Sequence, residues 1–272
     1  MQVVEQDGVE LAFEVEGDAE GDPVLLLHGF PDTSKVWIHQ RRALVDAGRR
    51  VITPDMRGSG ASGRPEPTEA YRMSTLVADV LTILGAVGHD RVDVVGHDLG
   101  AVLGWALASR VPAVVHRLVA ISVGYPQGFA ELDLEQWQRW WYMLLFQPPG
   151  LAETFLPLDD WRGLRLLARG HPAIDDCIAE LSEPGALTAA LAWYRANTPA
   201  AAWVAPFEGP NVAAPTMGIW STDDVALTEA QMTSSAAHVD GPWRYERVEG
   251  FGHWLPLEAP DVINELLLDF LG

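Results

Sequence analysis

Basic residues are scarce in this 272-residue chain: 18 Lys and Arg stand against 38 Asp and Glu, a formal net charge of −20. A field of that sign repels phosphate backbones and anionic membrane faces, so nucleic acid is not an expected partner. Cysteine is nearly absent, and the single Cys177 cannot close an internal disulfide. No apolar run approaches the roughly 18 residues needed to cross a bilayer. The opening MQVVEQDGVELAFEVEG has neither the basic start nor the apolar stretch of a secretory signal. No membrane association and a cytoplasmic location are therefore the expectations. Heptads, internal repeats and low-complexity tracts are missing too. What is present is the length for one large α/β domain, or a core with an insertion, by the usual ~100–200 residues per domain.

After the turn-like Gln6-Asp7-Gly8, the apolar residues Val9, Leu11, Phe13 and Val15 alternate with Glu10, Glu14 and Glu16, the period of a half-exposed strand in an N-terminal hairpin. Val24–Leu27, Val51–Thr53, Val92–Val95, Leu118–Val123 and Thr216–Trp220 are instead short continuous apolar runs, as expected of parallel strands covered on both faces. Helical patterns separate them: Thr75–Val87, capped by Ser74 and stopped by Gly88; Ala101–Ser109, ending before Val111-Pro112; and Asp261–Leu271. Alternating strands and helices predict a mostly parallel, doubly wound sheet. From Tyr125 to Glu208 the alternation stops, and Trp, Tyr, Leu and Ala recur at helical spacing between Pro- and Gly-containing breaks. The expected layout is a core from residues 1–124 and 209–272 with an inserted helical cap at 125–208.

The run Val94-Val95-Gly96-His97-Asp98-Leu99-Gly100 has the spacing of a nucleophile elbow, in which glycines on either side relieve a sharp strand-to-helix turn, but its centre is a carboxylate rather than a serine. Serine there would make an acyl-enzyme, whereas a carboxylate makes an alkyl ester by attacking an sp³ carbon that bears a leaving oxygen or halide. A helix N-terminus beside Asp98 favours its ionised form. His28-Gly29-Phe30-Pro31 follows an apolar strand, so the Phe30 N–H can face the cleft with the Leu99 N–H as its partner. Two such donors stabilise the oxyanion formed when water attacks an aspartyl ester, by about 3–4 kcal/mol each. His253, after the strand-like Trp243–Val248, is the candidate general base. The acid that orients it comes from Ser221-Thr222-Asp223-Asp224; either aspartate can serve, and Asp223 is preferred.

The order nucleophile, acid, histidine, with HGFP and the elbow, resembles the α/β-hydrolase superfamily over nearly the whole chain. Within it, GHDLGA, Asp55-Met56-Arg57-Gly58-Ser59-Gly60 and GFGHW resemble the epoxide hydrolases and their haloalkane dehalogenase relatives, the branch with an aspartate nucleophile. The resemblance implies an α/β-hydrolase fold with a helical cap. The stretches around Tyr142 and Tyr194 look like epoxide hydrolase cap helices, where the matching tyrosines donate hydrogen bonds to the epoxide oxygen. Such donors are needed because ring opening leaves an alkoxide, a poor leaving group unless an acid polarises it. Dehalogenases usually clamp the halide with a Trp directly after the nucleophile; here that residue is Leu99. The cap residues Trp137, Trp140, Trp141, Trp161 and Trp193 remain as candidate halide donors.

The expected reaction is hydrolysis of a small apolar epoxide by water to a vicinal diol, through an ester on Asp98 and with no metal or organic cofactor. The alternative is a haloalkane dehalogenase using the same Asp98, and a more distant one a non-catalytic ligand-binding protein of this fold. Eleven Trp and eight Phe suggest an aromatic-walled pocket, with Trp37 and Trp141 as candidate substrate contacts.

Overall fold

The computed structural model describes residues 1–126, 133–198 and 209–272. Among them run the strands β1 (Gln2–Gln6), β2 (Val9–Gly17), β3 (Pro23–Leu27), β4 (Arg50–Pro54), β5 (Val92–His97), β6 (Val115–Ile121), β7 (Thr216–Ser221) and β8 (Trp243–Val248). They form one sheet in the order β1-β2-β4-β3-β5-β6-β7-β8. β1 and β2 make the predicted antiparallel hairpin, turning on Asp7 and Gly8, both at positive φ, as a two-residue turn between right-twisted strands requires. β2 pairs antiparallel with β4, and every pairing from β4 onward is parallel.

The continuous apolar runs have the expected cause. Leu25 and Leu27 of β3 join one buried cluster with Val94, Leu118 and Ala120, while Val24 and Leu26 join the other with Val95, Val119 and Ile219. Successive side chains of a strand point to opposite faces, so a strand covered on both faces must be apolar throughout. The helices are α1 (Ile38–Asp46), α2 (Met73–Val87), α3 (Leu99–Arg110), α4 (Leu134–Arg139), α5 (Trp141–Phe146), α6 (Leu151–Phe155), α7 (Leu158–Leu167), α8 (Ile174–Leu181), α9 (Ala186–Asn197), α10 (Glu229–Thr233), α11 (Leu255–Glu258) and α12 (Pro260–Leu271). α2 and α3 cover the first face; α1 and α12 cover the second.

Two local expectations need correction. Ser74 does not cap α2, which begins at Met73; the Met73 N–H is satisfied instead by Asn197 Oδ1 at 2.7 Å, a side chain from the end of α9. Trp37 is a core residue. It is fully buried with Leu26, Val95, Leu44 and Ile263 in the cluster under α1 and α12, because the short helical turn Ser34–Trp37 folds its indole back onto the sheet.

Helices α4 to α9 all lie between β6 and β7 in sequence, where strand-helix alternation was expected to stop. This segment carries a separate buried cluster that includes Met143, Phe146, Leu156, Leu164 and Leu191, with Phe30 the buried member contributed from outside the segment. The entry to this segment is pinned: Gly124 N–H donates to Gln231 Oε1 and Tyr125 N–H to Ser235 Oγ, both at 2.8 Å. Tyr125 Oη also donates to the Pro210 carbonyl at 3.1 Å, tying the two ends of the segment together. Its expected far limit, Glu208, lies outside the described residues, as do 127–132 and 199–207. Among the described residues no helix is long and apolar enough to cross a membrane.

Candidate active site

The turn from β5 into α3 is built around missing side chains. A Cβ on Gly96 would stand 2.3 Å from the Gly100 carbonyl oxygen, and one on Gly100 would stand 2.0 Å from that of Leu27. Between them Asp98 takes φ 53 and ψ −122, a conformation that L-residues rarely adopt, at a cost of about 1–3 kcal/mol. The strain lifts its carboxylate out of the helix and toward the loop after β3. Gly29 lets that loop come close, since a Cβ there would lie 2.3 Å from Asp98 Oδ1. The Phe30 N–H then donates to Oδ1 at 2.8 Å, and the Leu99 amide is a second backbone donor to the same carboxylate. Both predicted oxyanion donors thus converge on the carboxyl group of Asp98.

His253 follows β8, with Nε2 at 3.4 Å from Asp98 Oδ2 and Nδ1 at 2.9 Å from Asp224 Oδ2. The carboxylate paired with His253 is therefore Asp224 and not Asp223. Backbone pairing decides between them: Asp223 N–H bonds the Phe251 carbonyl in continuation of the β7–β8 ladder, leaving its side chain exposed. The chain then turns, with Asp224 N–H on the Ser221 carbonyl, and Asp224 points inward. Its Oδ1 accepts from the Ala226 and Leu227 amides at 2.8 Å each, which leaves Oδ2 for the imidazole.

Charge follows from this row of three buried groups. Burial alone would lower the His253 pKa, but the Asp224 and Asp98 carboxylates outweigh it and raise it to about 10. Burial would raise Asp98, and the hydrogen bond and charge of His253 overcome that, holding it below the usual carboxylate range. An imidazolium between two carboxylates is the resting arrangement.

Residues that sequence reasoning missed hold His253 from behind. Its carbonyl accepts from His97 Nε2 and from Ser122 Oγ, both at 2.9 Å. Burial, together with the charge of His253, lowers the His97 pKa to about 4, so this ring is neutral. Ser122 itself sits at φ 69, strained to make the contact. No sequence signal marks either role, because both act on a backbone atom remote in the chain.

A cavity of about 380 Å³ opens over Asp98 and His253, lined also by Phe30, Tyr142, Tyr194, Trp141 and Trp254. Tyr142 and Tyr194 meet edge-to-face, ring centroids 6.2 Å apart, and Phe30 packs against Tyr194 at 5.8 Å. Among the described residues, neither phenol has a hydrogen-bond partner, so both hydroxyls are free to serve a bound molecule. Burial first, and the nearby Asp98 charge second, raise both phenols well above 10, so they are donors at any ordinary pH. Trp141 lines this cavity while remaining 53% exposed. Trp193, a candidate halide donor, gives its indole N–H to the Arg57 carbonyl at 2.9 Å instead.

A second buried group, Asp32, His171 and Cys177, has its ligand-type atoms within 4.8 Å of one another. His171 Nδ1 accepts from the Ala173 N–H at 3.0 Å, so Nε2 carries the proton and donates it to Asp32 Oδ1, also at 3.0 Å. Burial and the Asp32 charge push the Cys177 thiol up, keeping it protonated. Through these contacts the trio links the helical segment to the loop after β3.

The sequence profile of the alpha/beta hydrolase fold family matches residues 22–160. The chain belongs to that family. Epoxide hydrolase A of Mycobacterium tuberculosis is 34% identical to it, over 99% of this chain and 96% of that protein, and the AB hydrolase superfamily protein YfhM of Bacillus subtilis is 32% identical over 99% and 97%. Among solved structures, a Bacillus megaterium epoxide hydrolase in complex with an inhibitor superposes with a TM-score of 0.88 at 26% identity, covering 99% of both chains. One of the epoxide hydrolases from metagenomes of hot environments gives the same TM-score at 27% identity, covering 99% of this chain and 97% of its own.

Proposed function

We propose that this α/β-hydrolase is an epoxide hydrolase, converting a small apolar epoxide and water to a vicinal diol through an ester on Asp98. The observation that carries this reading is the pair of unpartnered phenols, Tyr142 and Tyr194, sharing one cavity with an ionised Asp98. In it, α4 to α9 form a cap at 125–208 over a core from 1–124 and 209–272. The lone buried thiol of Cys177 suits the reducing cytoplasm.

In the first step Asp98 attacks a ring carbon, the carbon–oxygen ring bond breaks, and the two phenols hold the developing alkoxide. That oxygen takes a proton from cavity water. Esterification removes one of the two carboxylates that keep His253 cationic, so the imidazolium releases a proton, matching the one taken up. Neutral His253, steadied by Asp224, then accepts a proton from water, which attacks the ester carbonyl. The Phe30 and Leu99 amides hold the oxyanion. Collapse returns Asp98 to its carboxylate, leaves His253 protonated, and releases the diol, so atoms and charge balance over the cycle.

A halide would leave without an acid, making two buried phenols superfluous, and Leu99 and the engaged Trp193 supply no clamp. The test is a single turnover of styrene oxide in ¹⁸O water with the wild type, Asp98→Ala and Tyr194→Phe. Label should enter the Asp98 carboxylate, Asp98→Ala should be inactive, and Tyr194→Phe should open the ring about tenfold or more slowly. A labelled diol with unlabelled protein, or full turnover by Asp98→Ala, would overturn the proposal.

A further inference from the structure

We propose that Gln136 and Arg139 of α4 are positioning residues for the hydrolytic step, acting on His253 through the loop that carries Asp224. This rests on the epoxide hydrolase reading and adds to it a dependence of the second step on how α4 sits. Asp133 caps the helix, its Oδ1 accepting from the Gln136 N–H at 2.7 Å. The i, i+3 spacing puts Gln136 and Arg139 on one helical face, turned toward residues 224–228.

Gln136 is buried, with both amide heteroatoms bonded. Its Oε1 accepts from the Thr228 N–H at 2.8 Å and from Thr228 Oγ1 at 3.0 Å, and its Nε2 donates to the Ala226 carbonyl at 2.8 Å. Arg139 Nη1 donates to the Leu227 carbonyl at 2.6 Å and to the carbonyl of Asp224 itself, while Nη2 holds Glu135 at 2.7 Å. The same two residues, Ala226 and Leu227, fix Asp224 Oδ1 through their N–H groups. Two side chains from one short helix therefore bind the carbonyls of residues 224, 226 and 227 and the amide of 228, and that frame aims Asp224 Oδ2 at His253. In the free enzyme Asp98 also faces His253; once Asp98 is esterified, Asp224 is the carboxylate left to orient and polarise the ring, so a loosened loop harms ester hydrolysis first.

The variants are Gln136→Met and Arg139→Met, which keep bulk and remove the bonds, with Arg139→Lys as the conservative partner able to reach two carbonyls. Rapid-quench mass spectrometry follows the Asp98 ester formed from styrene oxide. Ester breakdown should slow at least about tenfold in both Met variants, with kcat and KM falling together, kcat/KM unchanged, and a full one-equivalent burst of epoxide consumption. The pH limb of ester breakdown should move to lower pH, because a loosened Asp224 holds the His253 proton less firmly. Arg139→Lys should recover most of the rate. Simple damage would instead cut the burst and leave KM alone, and that result, or wild-type breakdown in soluble Gln136→Met, overturns the inference. Should Gln136→Met not fold, the Arg139→Met and Arg139→Lys pair decides it. Absence of any covalent ester in the wild type would instead sink the epoxide hydrolase reading.

Discussion

At Asp98 a strained backbone and a shared proton meet, and both can be read by titration. Because two carboxylates hold His253 protonated to about pH 10, neutralising one must lower that value. Asp98→Asn keeps an acceptor for the Phe30 N–H but loses the charge, so an NMR titration of the His253 ring should show its pKa clearly below about 10; an unmoved value would mean that Asp98 is not its partner. Linkage gives a sign as well. A raised folded-state pKa contributes stability that is fully present below the unfolded value near 6.5 and is lost as pH rises through about 10. The depressed Asp98 contributes stability that is lost as pH falls through its folded value. Asp224→Ala should slow ester hydrolysis on the order of 10²–10⁴-fold, whereas Asp223→Ala should stay within about twofold; single-turnover rates separate the two. Adjacent residues of one loop are indistinguishable in sequence, and here the Asp223 N–H bond to Phe251 sends one outward and the other in. Asp98 and His253 were legible because the elbow glycines and the position after the last strand are written locally. Trp37 was not, since an aromatic side chain looks the same in a core as at a cavity.

At the scale of elements, the elbow depends on close approach between two strands and a helix, and the glycine spacing shows it before any coordinates do. Gly100→Ala puts a methyl group 2.0 Å from the Leu27 carbonyl oxygen, a backbone atom held in the sheet. The expected cost is about 3 kcal/mol or more, at or beyond the upper end for overpacking, read as a fall in the urea midpoint. Activity should fall in the folded fraction too, because the displaced Leu99 amide no longer meets Asp98. A stable, fully active variant would show that the elbow relaxes freely. The strands were legible for the same reason: two buried faces require unbroken apolar runs. The start of α2 was not. Its cap comes from Asn197, which also donates to the Tyr71 carbonyl at 2.9 Å, so the sequence around Ser74 holds only half of the information. Asn197→Ala should cost about 0.5–2 kcal/mol, the usual range for a lost cap. An unchanged urea midpoint would mean that water replaces the side chain without loss. Interactions of this kind, like those of Gln136 and Arg139 with the Asp224 loop, join segments that are far apart in the chain and leave no local pattern.

For the molecule as a whole, the formal charge of −20 acts at a range that no single side chain does. Around the cavity the signs nearly cancel: Arg139, Arg169 and the imidazolium of His253 offset Glu135 and Asp98. Long-range repulsion should therefore dominate the approach of an anion, while a neutral epoxide is indifferent to it. An epoxide bearing a free carboxylate should show a kcat/KM about tenfold below that of its methyl ester at low ionic strength. Raising salt from about 0.01 M to about 1 M shrinks the screening length from about 30 Å to about 3 Å, so the gap should close if the far field causes it. A gap that persists at high salt would place the discrimination in a short-range contact with Asp98 or Glu135. Preference for the carboxylate would mean that Arg139 or Arg169 binds it directly, and would reverse the expectation of an apolar substrate.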